Sequence, residues 1–237
     1  MTSTSTTRDH LHRIAVHIVA RARIEASGRF SLRVTPGGFG TPELGPDGRR
    51  VRVSGAHLLV ESDVEGSAGA WSTAIAGASL AQLAAFAGVD LSETIDVGHD
   101  TPALGDVHAP IELDETGAIA LAGWYTQSAA ILDGVLASLH SGAASTLPRL
   151  WPEHFDVAIE AQATAERRVN LGGSPGDASS DEPYLYVVPW TADRPGDPDF
   201  WNAPFGAMRT RSELAADPAG PVAAGVAFLL DGYHRLR

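Results

Sequence analysis

The chain has 237 residues, 44% of them hydrophobic and 19% charged, and a formal net charge of −12. That balance describes a folded globular protein, and its acidity argues against nucleic acid or an anionic membrane as the main partner, because polyanion binding depends on a basic face. Cysteine is absent and all 17 basic residues are arginine, which excludes disulfides, thiolate zinc sites, iron–sulfur clusters, cysteine nucleophiles, Schiff-base lysines and the phosphate-gripping lysine of a P-loop.

In chain order, a disordered tail over residues 1–6 precedes a helix over 7–26, where Leu11, Ile14, Ala15, Ile18 and Ala22 recur at helical spacing before Ser27-Gly28. This N-terminus lacks the compact apolar run and small-residue cleavage site of an export signal. The longest apolar stretches, such as 222–230, are far below the roughly 20 residues of a membrane span. The cytoplasm is the expected compartment. "RFSLRV" (29–34) alternates as a strand, "TPGGFGTPELGPDG" (35–48) reads as a long loop, and "RRVRVSGAHLLVE" (49–61) returns as a strand with Gly55 as a bulge. An Ala-rich helix is expected over about 72–87 and an irregular connection over 99–116.

Residues 116–140 carry the clearest helical stripe, formed by Ile119, Tyr125, Leu132, Val135, Leu136 and Leu139, with Gly142 placed to close it in the left-handed conformation. "LWPEHFDVAIEA" (150–161) becomes a strand in its second half, a further strand opens "RRVNLGGSPGDASSDEP" (167–183), and "YLYVVPW" (184–190) follows as another. The Pro- and Asp-rich segment 191–220 reads mostly as loop, and 221–237 as a helix with Val222, Val226, Leu229, Leu230 and Tyr233 on one face. Strands in hairpin-like pairs, separated by helices without regular βαβ alternation, predict an α+β fold with mainly antiparallel sheets and packed helices. It is expected as a single domain over 7–237. A strand, a Gly-Gly loop, a returning strand and a helix occur twice, which leaves a division into pseudo-related halves at 7–115 and 116–237 open as the alternative.

Several motifs lose to plainer readings. "GGSPG" (172–176) spells a nucleophile elbow around Ser174, but Pro175 has no backbone N–H for an oxyanion hole and no helix pattern follows. "PGGFGTPELG" (36–45) puts Glu43 where a dinucleotide fingerprint needs its third glycine. Asp96, His99, Asp100, Asp106 and His108 lie in a Pro/Gly-rich loop without diagnostic metal spacing, and no metal site is assigned. Asp177, Ser179, Asp181 and Glu182 offer oxygen ligands but not the spacing of an EF-hand, so a solvated acidic loop is preferred.

The best place to look is "LWPEHFDVAIEA". On a strand, His154, Asp156 and Glu160 share one face, and Tyr184, Tyr186, Val188 and Trp190 share one on "YLYVVPW". If the two strands neighbour each other, those faces form a pocket with aromatic walls, one imidazole and carboxylates. His154 and Asp156 are then candidate acid–base residues, and Trp151, Asp177, Glu182, Tyr184, Tyr186 and Trp190 candidate ligand-binding residues.

"LWPEHFDVAIE", "VNLGGSPGD" and "EPYLYVVPW", in this order, resemble the C-terminal half of an uncharacterised bacterial family common in GC-rich actinobacteria. The resemblance covers roughly residues 148–190 and singles out Trp151, His154, Phe155, Asp156, Gly176, Asp177, Glu182, Pro183 and Tyr184. It implies no activity, substrate or cofactor. Two functions stay open: a small-molecule-binding protein with a His154/Asp156 acid–base site, and a non-catalytic structural or interaction protein that self-associates as a homo-oligomer. The cofactor is unknown on either reading.

Overall fold

The computed structural model describes residues 4–64, 68–139 and 144–237. The first three residues of the expected tail and the Gly142 cap lie outside the described residues. The chain divides into two compact units, Met1–Thr126 with Leu150–Phe155, and Gln127–Arg149 with Asp156–Arg237. The division therefore runs through a helix at Thr126 and through the "LWPEHFDVAIEA" stretch at Phe155, whereas the sequence placed it at residues 115/116.

The first unit opens on α1 (Thr4–Ile14), which passes through a π-helical segment, Ala15–Ala20, into α2 (Arg21–Ser27). Residues 4–6, expected as tail, are helical. Leu11, Ile14, Ile18 and all six π-helical residues are buried, and Gly28 ends the run at φ 68°, a conformation glycine adopts without steric cost. The five-stranded antiparallel sheet that follows is a meander, β1 (Arg33–Thr35), β2 (Gly38–Gly40), β3 (Arg50–Ser54), β4 (His57–Ser62) and β5 (Gly69–Ala74), in sequence order.

Three details differ from expectation. β2 lies inside the supposed long loop: Pro36 and Gly37, the latter at φ 79°, make a two-residue turn between the paired Thr35 and Gly38. The glycines of β2 serve close approach, since a Cβ on Gly38 would stand 2.5 Å from the Val53 carbonyl and one on Gly40 would stand 2.4 Å from Arg52 Cβ. Gly55 is not a bulge but the first residue of the two-residue turn joining the Ser54/His57 pair, at φ 55°. The helix expected over 72–87 yields residues 72–74 to β5 and residues 75–79 to a turn and the helix cap. Gly77 turns the chain at φ 79°, and α3 (Leu80–Ala87) starts only at Ser79, which forms a capping box with Gln82.

The helix α4 (Glu115–Ser138) contributes Glu115–Thr126 to the first unit and Gln127–Ser138 to the second. Trp124, Tyr125, Ile131, Leu132 and Val135 are buried, while Ile119, assigned to the apolar stripe, is 58% exposed. The second sheet has the order β10-β9-β8-β7-β6, from β6 (Arg149–Trp151), β7 (Asp156–Gln162), β8 (Arg168–Ser174), β9 (Tyr184–Pro189) and β10 (Ala207–Thr210). β10 and the short α5 (Arg211–Ala215), capped by Thr210 and Glu213, fall in the segment expected as loop. In the second unit α6 (Pro221–Arg235) packs through small residues: Gly232 sits against Val187 of β9, and Gly225 against Ile131 and Leu185. The fold is thus α+β with two antiparallel sheets. Among the described residues no helix is long and apolar enough to cross a membrane.

Candidate functional site

Arg13, His17 and Arg21 follow one another at intervals of four and so stand in a row along the first helix. All three donate to carbonyls of an irregular stretch of the same unit. The Arg13 guanidinium reaches Leu104 O and, at 3.3 Å, Asp106 O; His17 Nε2 donates to Pro102 O at 2.8 Å; Arg21 reaches Glu93 O. That stretch forms no strand or helix, so its carbonyls need such donors when covered. The carbonyl partner fixes the proton of His17 on Nε2. Burial pushes the imidazole below its ordinary pKa, and the neighbouring charges of Arg13 and Arg21 act in the same direction. Its Nδ1 is buried without a hydrogen-bond partner. The π-helical winding centred here widens the helix at a residue that does polar work, a common coincidence at functional sites.

His17 also lines an open groove of about 320 Å³, together with Thr94, Asp96, His99 and Thr101 and the backbone between them. Asp96 Oδ1 accepts from Gly98 N at 2.9 Å and from Thr101 Oγ1 at 3.2 Å, which holds the loop in shape. Beside the groove, Asp100 accepts from two imidazoles, His99 Nδ1 at 2.8 Å and His154 Nδ1 at 2.7 Å. These bonds, His99 first, hold the Asp100 carboxyl below the usual carboxylate range. The side chain of His99 is 91% exposed and that of His154 50%. At Gly98 (φ 148°) a side chain would be crowded as well as strained, since a Cβ would stand 3.1 Å from Glu153 Cβ and Cγ. Burial raises the Glu153 pKa, the charge of Asp100 adds to the effect, and Glu153 Oε2 is buried without a partner.

The turn carrying His154 is clamped from three sides. His12 Nε2 donates to Pro152 O at 2.7 Å, and its ring stacks on Phe155 with centroids 5.0 Å apart. Phe39 meets Phe155 edge-on at 5.2 Å, and Tyr125 Oη donates to Phe155 O at 2.6 Å. Phe155 sits at φ 54°, the one positive φ on a non-glycine among the described residues. This corrects the strand reading: β7 begins only at Asp156, and the left-handed Phe155 breaks the alternation that was to put His154, Asp156 and Glu160 on one face. His154 belongs to the first unit and Asp156 to the second. The carboxylate that orients His154 is Asp100. Trp151, also of the first unit, is half-buried with its ring edge-on to Phe30 at 6.0 Å.

In the second unit, Asp156 is buried on β7 and accepts from the Tyr186 phenol of β9, across β8. The crossing requires Gly172 on β8, where a Cβ would lie 2.4 Å from Tyr186 Cζ and Oη. At the end of β8, Ser174 Oγ donates to Asp177 Oδ2 at 3.3 Å and accepts from Gly176 N, while Tyr184 Oη donates to the same carboxylate oxygen at 2.5 Å. Burial, followed by the bond to Asp177, pushes the Tyr184 phenol far above its usual pKa. Glu182 accepts from Ser212 N and Oγ at the start of α5. Trp190 is 56% exposed, donates to Asn170 and lies under the Arg168 guanidinium.

The expected residues thus fall into separate groups. Asp177 meets Tyr184, Asp156 meets Tyr186, Glu182 caps a helix, and Trp190 joins Arg168 at the far end of β9 from Tyr184. Sequence reasoning missed His12 and His17, and it set Asp100 aside as a loop polar. The available signal was the four-residue spacing of Arg13, His17 and Arg21, the last two interrupting an otherwise apolar run over residues 14–22. Among the described residues no three His, Asp or Glu side chains are placed to hold a metal ion. Comparison with protein-family models, with curated proteins and with solved structures finds no match, so the functional reading rests on this geometry.

Proposed function

We propose that the protein binds a small polar molecule in the groove of the first unit, with His154 as an acid–base group oriented by Asp100. The observation that carries this reading is the sharing of Asp100 between His99 Nδ1 and His154 Nδ1 beside the groove. A carboxylate on Nδ1 fixes the tautomer and turns Nε2 outward as the reactive nitrogen, the arrangement by which a histidine is readied for proton transfer. The groove sets hydroxyl, carboxylate and imidazole groups beside Ile95, Pro102, Ala103 and Leu104, a lining that suits a small molecule with hydrogen-bonding groups on a partly apolar frame.

The test is imidazole NMR during titration with millimolar amino acids, short carboxylates, sugars and nucleosides. Saturable shifts shared by His17, His99 and His154, and lost in Asp100→Asn, are the expected result. Shifts confined to other histidines, or none with any compound class, overturn it. A second reading, a non-catalytic interaction protein, is favoured by the exposure of Trp71 and Trp190, and it predicts silence in that titration.

A further inference from the structure

An exposed sheet edge offers a row of unpaired N–H and C=O groups, and proteins usually cover or blunt it. Two edges here are treated in that way. On the β1 side, Leu32 and Leu150 exchange backbone hydrogen bonds of 2.7 and 3.0 Å. On β10, the Asn202 side chain accepts from Met208 N and donates to Met208 O, occupying both outward groups with one amide.

The β5 edge has no such cover. Its six residues, Gly-Ala-Trp-Ser-Thr-Ala, include no charge and no proline, and five of the six are exposed. Among the described residues no backbone hydrogen bond reaches Gly69–Ala74 apart from the ladder to β4. The ladder's phase follows from two neighbours. The two-residue turn makes Ser54/His57 a hydrogen-bonded pair, and Ile75 N donates to Ala56 O at 2.9 Å. Both place the β4–β5 bonds on Gly69, Trp71 and Thr73, so Ala70, Ser72 and Ala74 turn their N–H and C=O outward. The Trp71 ring, 49% exposed, folds along its own strand to 3.3 Å from the Cβ position of Gly69 and leaves the edge open.

We infer that β5 is where two copies of this chain pair, antiparallel across a twofold axis through Ser72. In that register Ser72 faces Ser72 of the second copy and Ala70 faces its Ala74, so all three outward residues on each side exchange bonds and none is left unpaired. Trp71 then lies opposite Thr73 of the second copy, an aromatic against a β-branched side chain. On a chain of net charge −12 most surfaces repel a second copy, whereas this strand is neutral. A strand from another protein fits the backbone but gains nothing from the self-matching phase. Six residues a side bury far less than the ~1,200 Å² of a stable interface, so the association is weak, with a Kd on the order of tens to hundreds of micromolar.

The experiment is sedimentation equilibrium of the full chain from about 5 µM to about 1 mM, a range that brackets such a Kd. The wild type shifts from monomer towards dimer across that range. Ser72→Pro removes an outward N–H without touching the β4 ladder and weakens dimerisation at least tenfold. Ala70→Glu with Ala74→Glu sets like charges opposite each other and gives a monomer. Mixing that variant with Ala70→Lys/Ala74→Lys restores a one-to-one dimer, a readout that stands even if the proline variant fails to fold. A wild type monomeric throughout, or a dimer indifferent to the paired charges, overturns the inference.

Discussion

The phenol of Tyr125 donates a 2.6 Å hydrogen bond to the carbonyl of Phe155, the residue held in a left-handed conformation at φ 54°. A bulky residue at positive φ costs energy that its surroundings must offset. Here the phenol and the rings of His12 and Phe39 supply the compensation. Tyr125→Phe is expected to lower stability by about 1–3 kcal/mol, because a buried carbonyl loses a donor. Phe155→Ala is expected to cost about 3–5 kcal/mol through the lost ring packing. Urea denaturation measures both, and a Tyr125→Phe protein as stable as the wild type would show that the phenol does not hold this turn.

Acid sensitivity follows from the first helix. Burial holds His10, His12 and His17 below the ordinary value of 6.5, so the unfolded chain takes up protons that the fold resists. Their contribution is complete above 6.5 and is lost as the pH falls through the lowered values. Glu153 works the other way. Its pKa is raised above 4.5, so its contribution is complete below 4.5 and declines as the pH rises. The lowered carboxyl of Asp100 acts in the same direction as the imidazoles at lower pH, and the expected outcome is a melting temperature that levels off near neutrality and falls on acidification. His17→Gln keeps a donor for Pro102 O but cannot charge, and should flatten the slope; an unchanged slope would exclude His17 as a source.

Gly172→Ala is expected to destabilise by about 1–3 kcal/mol, because a methyl group has no space under the Tyr186 ring. Its backbone φ is not positive, so the effect is steric. Gly28→Ala is the contrasting case: nothing lies within 4 Å, and at φ 68° only the left-handed backbone opposes the change. Its cost should be about 1 kcal/mol. Thermal melts of the two variants separate the mechanisms, and a Gly172→Ala protein as stable as wild type would show that the ring moves freely.

Ser174→Ala should leave intact any activity found, and fluorophosphonate probes should leave the wild type unlabelled. Its hydroxyl is buried and committed to Asp177 and Gly176 N, β8 ends on it, and no helix follows. Intact-mass spectrometry after probe treatment reads this directly, and stoichiometric labelling of Ser174 would refute it.

Elements whose burial repeats along the chain were legible from sequence. The spacing in α4 and α6 and the alternation in β3 announce one covered face each, β4, β7 and β9 were legible as apolar runs although β7 and β9 are covered on both faces, and their sum is the α+β class with antiparallel pairing. The excluded chemistries needed only the absence of cysteine and lysine. Tertiary structure decided the rest. β2 is built on glycines that look like a loop until β3 is laid against them, and β10 is a strand because β9 supplies its partners. The partner of His154 lies 54 residues away in a loop, and the donor to Phe155 O lies 30 residues away on a helix. Periodicity records which side of an element is covered. It carries no term for which distant carboxylate or phenol arrives there, since that depends on how the elements pack and which buried polar groups the packing must satisfy.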